Sequence, residues 1–336
     1  MAFSAETNLS SEIASLQGVT FGGRFVCEDL IGEGGMGAVL LAKDRAATDP
    51  SRTWVAVKVL RPELASLPDL RARFAREASL GMKFAHPNIV KVLEAGSDPI
   101  PYMAMEYLEG ESLAERLYLP LATNLEGPAS ASPVGKKLGA DEVLALATGA
   151  LLGLEAAHEE GIVHRDLKPD NLFLVKPSQD PSSKGATIVQ GNDRGWSDLK
   201  IMDFGISKPL ALPGGTKPLA LTKRGALVGT PYYMSPEQAH AADDLDGRSD
   251  LFGLAAILYE CLTGVRAFWG RSYEQAVVAV CTKDLPPVHA LVPSVPLFLS
   301  HTISMALARK REERIPSARA MLLLLERSGL SASTRK

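Results

Sequence analysis

Cysteine is scarce in this chain: Cys27, Cys261 and Cys281 are odd in number and far apart. They supply neither a disulfide framework nor metal-ligand spacing, so a reducing compartment is the default expectation. A basic excess is also missing. The formal net charge of -3 gives no support to nucleic-acid binding, which usually depends on a strong basic excess. No uninterrupted apolar run approaches the roughly 20 residues that span a bilayer. The N-terminus carries Glu6 and Glu12 and no basic segment leading into an apolar run, so it does not read as a signal peptide. These absences predict a soluble, cytoplasmic chain with no membrane span. What remains is an ordinary globular balance, 46% hydrophobic and 22% charged, and 336 residues are enough for one large domain or two lobes.

The texture changes along the chain. Residues 1–20 are small and polar and read as a flexible extension or a short helix. From Arg24 the chain turns β-rich. Phe25, Cys27 and Leu30 lead into a glycine cluster, and strands are predicted at Ala38–Lys43, Trp54–Leu60, Ile89–Leu93 and Tyr102–Tyr107. Between them, Leu70, Phe74, Ala78 and Met82 recur at helical spacing over Asp69–Phe84. Gly81 inside that helix costs about 1 kcal/mol relative to alanine. After Gly110 the pattern becomes helical. Helices are predicted from Leu113 to Leu117, from an Asp141 cap to about Glu160 with Gly161 as the stop, near Asp250–Leu262 ended by Gly264, and at Ala318–Glu326. Tyr118–Gly139 and Pro177–Asp198 are polar and rich in loop-forming residues, and read as inserted surface loops. The expected organisation is an extension at 1–20, a small β-rich lobe at 21–107, a larger helical lobe at 108–327 and a tail at 328–336.

Chemistry concentrates in a few segments. Gly32-Glu33-Gly34-Gly35-Met36-Gly37 lets backbone approach a phosphate, but glycines also build plain turns. A dinucleotide site would open a helix directly after the glycines. Here Ala38-Val39-Leu40-Leu41 follows and favours a strand. Val55-Ala56-Val57-Lys58 then sets a lysine at the end of an alternating apolar strand, and Glu77 stands on the following helix. Alone, each charge reads as solvated surface. Further on come His164-Arg165-Asp166-Leu167-Lys168-Pro169-Asp170-Asn171, Asp203-Phe204-Gly205 and Gly229-Thr230-Pro231-Tyr232-Tyr233-Met234-Ser235-Pro236-Glu237, in that order.

This ordered set resembles the protein-kinase family, most closely the eukaryote-like (Hanks-type) serine/threonine kinases of bacteria, over roughly Arg24–Arg327. The resemblance implies an α+β, bilobal protein-kinase-like fold and transfer of the γ-phosphate of ATP to serine or threonine hydroxyls of proteins, with autophosphorylation. It implies ATP and Mg2+, with Mn2+ as a possible substitute. Asp166 would accept the hydroxyl proton and Lys168 would neutralise charge on the moving group. Asp203 and Asn171 would hold metal through oxygen. Ile31, Gly32, Glu33, Gly34, Gly35, Met36 and Gly37 would cover the phosphates. Lys58, held by Glu77, would reach them, and Val39, Ala56, Met105, Glu106 and Leu108 would form the adenine pocket. Glu237 with Arg314, and Asp250, match structural positions of the family. Lys168 and Gly229-Thr230-Pro231 follow the serine/threonine form, in which Thr230 would bond Lys168 and Asp166.

Arg165, preceding Asp166, implies a phosphate-activated switch, with Arg73 and Lys208 completing a cationic pocket and Thr222 as the expected phosphorylation site. The implied partners are a protein substrate and a transient second copy for autophosphorylation, without nucleic acid. The departures from the family are the two long insertions. The remaining histidines show no metal spacing. Two other readings stand beside this one. A pseudokinase-type ATP-binding scaffold would be expected to have lost Lys58, Asp166 or Asp203. A nucleotide-dependent oxidoreductase rests on the glycines alone.

Overall fold

The computed structural model describes residues 16–34, 37–49, 53–118, 135–177, 195–204 and 231–333, with backbone alone from 327 onward. The chain divides into two compact units, Met1–Glu109 and Gly110–Lys336. The division falls two residues beyond the expected boundary, because β pairing resumes only at Gly110, which belongs to a separate sheet.

The first unit is built on a six-stranded antiparallel sheet. Its strands are β1 (Thr20–Phe21), β2 (Phe25–Glu33), β3 (Gly37–Asp44), β4 (Trp54–Leu60), β5 (Val92–Gly96) and β6 (Tyr102–Glu106), in the order β1-β2-β3-β4-β6-β5. Successive side chains of a strand point to opposite faces, and this alternation sorts the sequence. Ala38, Leu40, Ala42, Val55, Val57, Val59, Tyr102 and Ala104 join Phe21, Phe25 and Cys27 in one closed apolar cluster. Residues 16–20, expected to belong to an extension, are part of this body. Phe21 is fully buried, and Leu16 and Val19 pack against the same cluster. Arg24 fastens the rim with two 2.7 Å hydrogen bonds to Asp44 and one of 3.0 Å to Glu94. The Arg24 hydrogen bond, outweighing burial, holds the Asp44 carboxyl below the usual carboxylate range.

Two helices follow β4: α1 (Pro62–Ala65) and α2 (Pro68–Gly81), each opened by a proline in the first turn. Helix α2 stops three residues before the predicted end. Gly81, expected only to weaken it, has a packing reason: a Cβ there would lie 2.4 Å from Val92 Cγ2. The strand predicted at Ile89–Leu93 begins instead at Val92. Ile89 and Val90 are buried outside it, so an apolar run served burial rather than strand pairing.

The second unit opens with β7 (Gly110–Ser112) and α3 (Leu113–Tyr118), followed by α4 (Ala140–Glu159). The cap of α4 is Gly139, not Asp141. Asp141 and Glu142 fall in the first turn, where the helix dipole favours negative charge. Strands β8 (Leu172–Val175) and β9 (Asp198–Ile201) complete a three-stranded sheet in the order β7-β8-β9. Then come α5 (Pro236–Ala239), α6 (Gly247–Thr263), α7 (Tyr273–Thr282), α8 (Val288–Leu291), α9 (Leu297–Ala306) and α10 (Ala318–Ser333). The final helix therefore continues through most of the predicted tail.

Helix α6 is the axis of this unit. Every residue from Ser249 to Thr263 is buried, as expected of a helix apolar on all sides. It packs against α4 and α9 and ends at Gly264 in the left-handed conformation, with φ 75°. Arg314, with a fully buried side chain, forms two hydrogen bonds of 2.6 and 2.7 Å with Glu237. Ser249 donates to the same carboxylate at 2.6 Å. Burial pushes the Glu237 carboxyl up, but the Arg314 and Ser249 hydrogen bonds outweigh it and leave it low.

Both predicted surface insertions are anchored at their ends. Leu138 is buried, and Gly135 and Leu138 donate backbone hydrogen bonds to Gly264 and Cys261. Trp196 is buried and donates to Glu142 at 3.2 Å, and Ser197 N–H bonds Val175 O at 2.8 Å. Residues 119–134 and 178–194 lie outside the described residues.

Candidate active site

In the first unit, strand register decides what shares a face. Val39 stands opposite Lys58, and Ala56 opposite Met105. Lys58 and Ala56 are two apart on β4, so all four project from the face opposite the closed apolar cluster. Helix α2 lies on this face. Its buried Glu77 accepts a 3.1 Å hydrogen bond from Lys58 Nζ. Both side chains are mostly withdrawn from water, 18% and 8% exposed, which strengthens the pairing beyond that of a surface ion pair. Gly32, opposite Val39, begins the loop.

The glycines run from Gly32 in β2 to Gly37 at the start of β3, so a strand follows them and the dinucleotide arrangement is excluded. Gly37 is required by close approach: a Cβ would come within 1.8 Å of Val59 O. Gly34 and Gly37 exchange backbone hydrogen bonds of 2.8 and 3.3 Å. Gly35 and Met36 lie outside the described residues. Ile31 and Glu33 are exposed, and Leu108 is half-buried. Glu106 pairs with Lys91 through its backbone N–H and through Oε1, which accepts from Lys91 N–H at 2.8 Å.

In the second unit the segment around Asp166 is fixed from several sides. Asp250 Oδ2 accepts the His164 backbone N–H at 2.8 Å, and Oδ1 accepts that of Arg165 at 2.9 Å. His158 Nε2 meets the same carboxylate at 2.8 Å. His164 is fully buried; its Nδ1 accepts from Asp166 N–H at 3.2 Å. Its Nε2 faces Met202 O at 3.0 Å, which assigns the neutral tautomer carrying the proton on Nε2. Gln238 Nε2 donates to Arg165 O at 2.7 Å, and Asn171 Nδ2 donates to Asp166 O at 2.8 Å. Lys168 Nζ lies 3.9 Å from Asp166 Oδ2.

The backbone stores strain here. Arg165 and Asp203 have φ of 66° and 50°, values that side-chain-bearing residues seldom adopt. Phe204 is buried with its ring 4.8 Å from that of His164. Met202 N–H donates to Asn171 O at 2.9 Å, tying the Asp203 segment to the Asn171 turn.

The donor chemistry fits a hard cation. The Asn171 amide nitrogen donates to Asp166 O, which leaves the amide oxygen Oδ1 as the atom that would face a cation, as an Asp203 carboxylate oxygen would. Among the described residues no group of three or more His, Cys, Asp or Glu side chains forms a metal cage.

Arg73 is half-buried on α2 of the first unit, and Arg165 belongs to the second. Lys208, Thr222 and Thr230 lie outside the described residues. Sequence reasoning missed Arg61, Gln238 and the contact of His158 with Asp250. Gln238 carried a readable signal: Ser235-x-x-Gln238 forms a capping box.

The protein kinase domain family matches residues 25–319. Serine/threonine-protein kinase Pkn1 of Myxococcus xanthus is 37% identical over 291 residues, covering 86% of this chain and 36% of that protein. Serine/threonine-protein kinase PknB of Mycobacterium tuberculosis is 34% identical over 304 residues, covering 89% and 42%. The chain thus spans well under half the length of either relative. The crystal structure of the Mycobacterium tuberculosis PknI kinase domain superposes with a TM-score of 0.62 at 25% identity, over 93% of this chain and 98% of that one. No helix among the described residues is long and apolar enough to cross a membrane. Matched over most of its length and folded like a solved member, the chain belongs to the protein kinase domain family, beside the Hanks-type serine/threonine kinases of bacteria.

Proposed function

We propose that the chain transfers the γ-phosphoryl group of ATP to serine and threonine hydroxyls of protein substrates. The observation that carries this reading is the fixing of Asp166: its N–H and its carbonyl are both held by buried side chains, His164 and Asn171. Phosphoryl transfer asks chiefly for positioning and for charge stabilisation. Asp166 accepts the proton of the substrate hydroxyl as it attacks the γ-phosphorus. Lys168 offsets negative charge on the group in transit. Lys58, oriented by Glu77, holds the nucleotide phosphates, and the Gly32–Gly37 loop covers them. Val39, Ala56 and Met105 form an apolar surface for the base, with Leu108 and the backbone at Glu106 as its further contacts. Asp203 and Asn171 would hold Mg2+, which would supply neutralisation of phosphate charge. The same reading takes Thr222 as a phosphorylation site whose phosphate pairs with Arg165, Arg73 and Lys208, added by a second copy of the chain.

The test is transfer of labelled phosphate from ATP to a generic basic protein, followed by identification of the labelled amino acid. Wild-type chain labels serine or threonine. Lys58→Met and Asp203→Asn each lower transfer by at least about a hundredfold, the scale of a lost charge-stabilising contact. Equal transfer by wild type and Asp203→Asn would refute the assignment, and ATP binding without any transfer would favour the scaffold reading.

A further inference from the structure

Arg61 lies outside every motif named above, yet it touches the nucleotide-covering loop. It stands directly after β4, three residues beyond Lys58, and its Nη2 donates a 2.7 Å hydrogen bond to Gly34 O. The register explains the reach: Gly37 pairs with Leu60, so the residue after Leu60 is level with the turn between β2 and β3. Gly34 O also accepts from Gly37 N–H at 3.3 Å, while Gly34 N–H donates to Gly37 O at 2.8 Å. The Gly34 carbonyl oxygen is therefore held by its own hairpin and by a cation.

A second feature sets Arg61 apart. Its Nε is buried and has no hydrogen-bond partner among the described residues. Buried side-chain donors are normally satisfied, and an exception asks for a reason. Arg314 shows the ordinary pattern, with its guanidinium bonded to Glu237 and to backbone carbonyls. Arg61 instead leaves a donor unused while keeping its bond to Gly34.

We propose that Arg61 is a positioning residue for the nucleotide, pinning the Gly34 carbonyl so that the glycine loop is set for phosphate before ATP arrives. This rests on the kinase reading above. Carbonyl and following N–H of a trans peptide point in opposite directions, so fixing one fixes the other. A guanidinium holding the Gly34 carbonyl thereby leaves the loop less to order when phosphate binds. A charge-assisted hydrogen bond is stronger than a neutral one and suits this role. Glycine peptides are otherwise free to rotate, and a loop that must be ordered on binding loses affinity in proportion.

The experiment compares wild type, Arg61→Met and Arg61→Lys. The methionine keeps the apolar stem and removes the donor, and the lysine restores one donor and the charge. Dissociation constants for Mg-ATP and thermal midpoints without nucleotide are measured on all three. Arg61→Met weakens ATP binding by about tenfold, Arg61→Lys recovers it to within about threefold, and both midpoints stay within about 2 °C of wild type. Unchanged affinity in Arg61→Met would overturn the proposal, as would a lysine variant no better than the methionine. So would a loss of affinity that merely tracks a fall in the midpoint. A wild-type chain that binds ATP without transferring phosphate would refute the catalytic reading while leaving this comparison of affinities decisive.

Discussion

Glu260 shows how much a single buried carboxylate can govern. It is fully buried near the C-terminal end of α6, where it accepts hydrogen bonds from the hydroxyls of Tyr233, at 2.6 Å, and Tyr118. Arg266 Nε lies 3.5 Å away, and its guanidinium sits over the rings of Tyr118, Tyr232 and Trp269. Burial pushes the Glu260 carboxyl up to about 7, with Arg266 pulling it back. An acid raised in the fold holds its proton where the unfolded chain has lost it. Its contribution to stability is thus complete below the unfolded value of about 4.5 and is lost as pH rises through about 7. Glu260→Gln removes that slope. Urea midpoints at pH 5, 6, 7 and 8 should show wild type falling relative to the variant between pH 5 and 7, and parallel curves would contradict the assignment. None of this was legible in the sequence, because Tyr118 and Glu260 are 142 positions apart. Lys58, Asp166, Asn171 and Asp203 stood out in the sequence because the proposed chemistry demands one residue type within a contiguous motif. Arg61 and His158 meet Gly34 and Asp250, partners that only the folded chain brings to them.

At the scale of elements, periodicity identified most strands of the first sheet and the longest helices, while ends and anchors did not follow from it, and α7, α9 and the strands β7 to β9 went unread. Trp54–Leu60 was read to the residue, since an alternating valine strand carries its own signal. Helix α2 was read too long because its apolar spacing persists to Met82, whereas the approach of Gly81 to Val92 sets the limit. The second insertion was read as one loop from Pro177 to Asp198, although its last residues belong to the body. Val175 pairs with Asp198, and Trp196 is 9% exposed. A Trp in a glycine-containing stretch was the available clue. Two expectations separate the parts. Trp196→Ala lowers unfolding free energy by about 3 kcal/mol, the usual loss for a buried aromatic. Excision of 178–194 leaves the thermal midpoint within about 2 °C, because the hydrogen-bonded strand ends already close the loop and closure cost varies slowly with length. Chemical denaturation of both variants checks this. A stable Trp196→Ala, or an excision that prevents folding, would show that the boundary between anchor and insertion is misplaced.

At the scale of the whole chain, composition excluded classes without choosing one, and the ordered motifs chose. The family match, the relatives and the superposed structure agree with that choice, and the shares of 36% and 42% of the relatives' lengths describe a kinase domain within longer proteins. Each unit is built for its own part: the first presents Lys58, Val39, Ala56 and Met105 on one sheet face, and the second holds the Asp166 N–H and carbonyl by hydrogen bonds next to Arg165 at positive φ. The central claim is that Asp166 acts on the attacking hydroxyl and not on the nucleotide. The most direct measurement is turnover of Asp166→Asn at saturating ATP, beside its dissociation constant for Mg-ATP. The expected result is a fall in kcat of at least about a hundredfold, with ATP affinity within about threefold of wild type. Wild-type turnover in Asp166→Asn, or lost turnover explained by lost ATP binding, would contradict it.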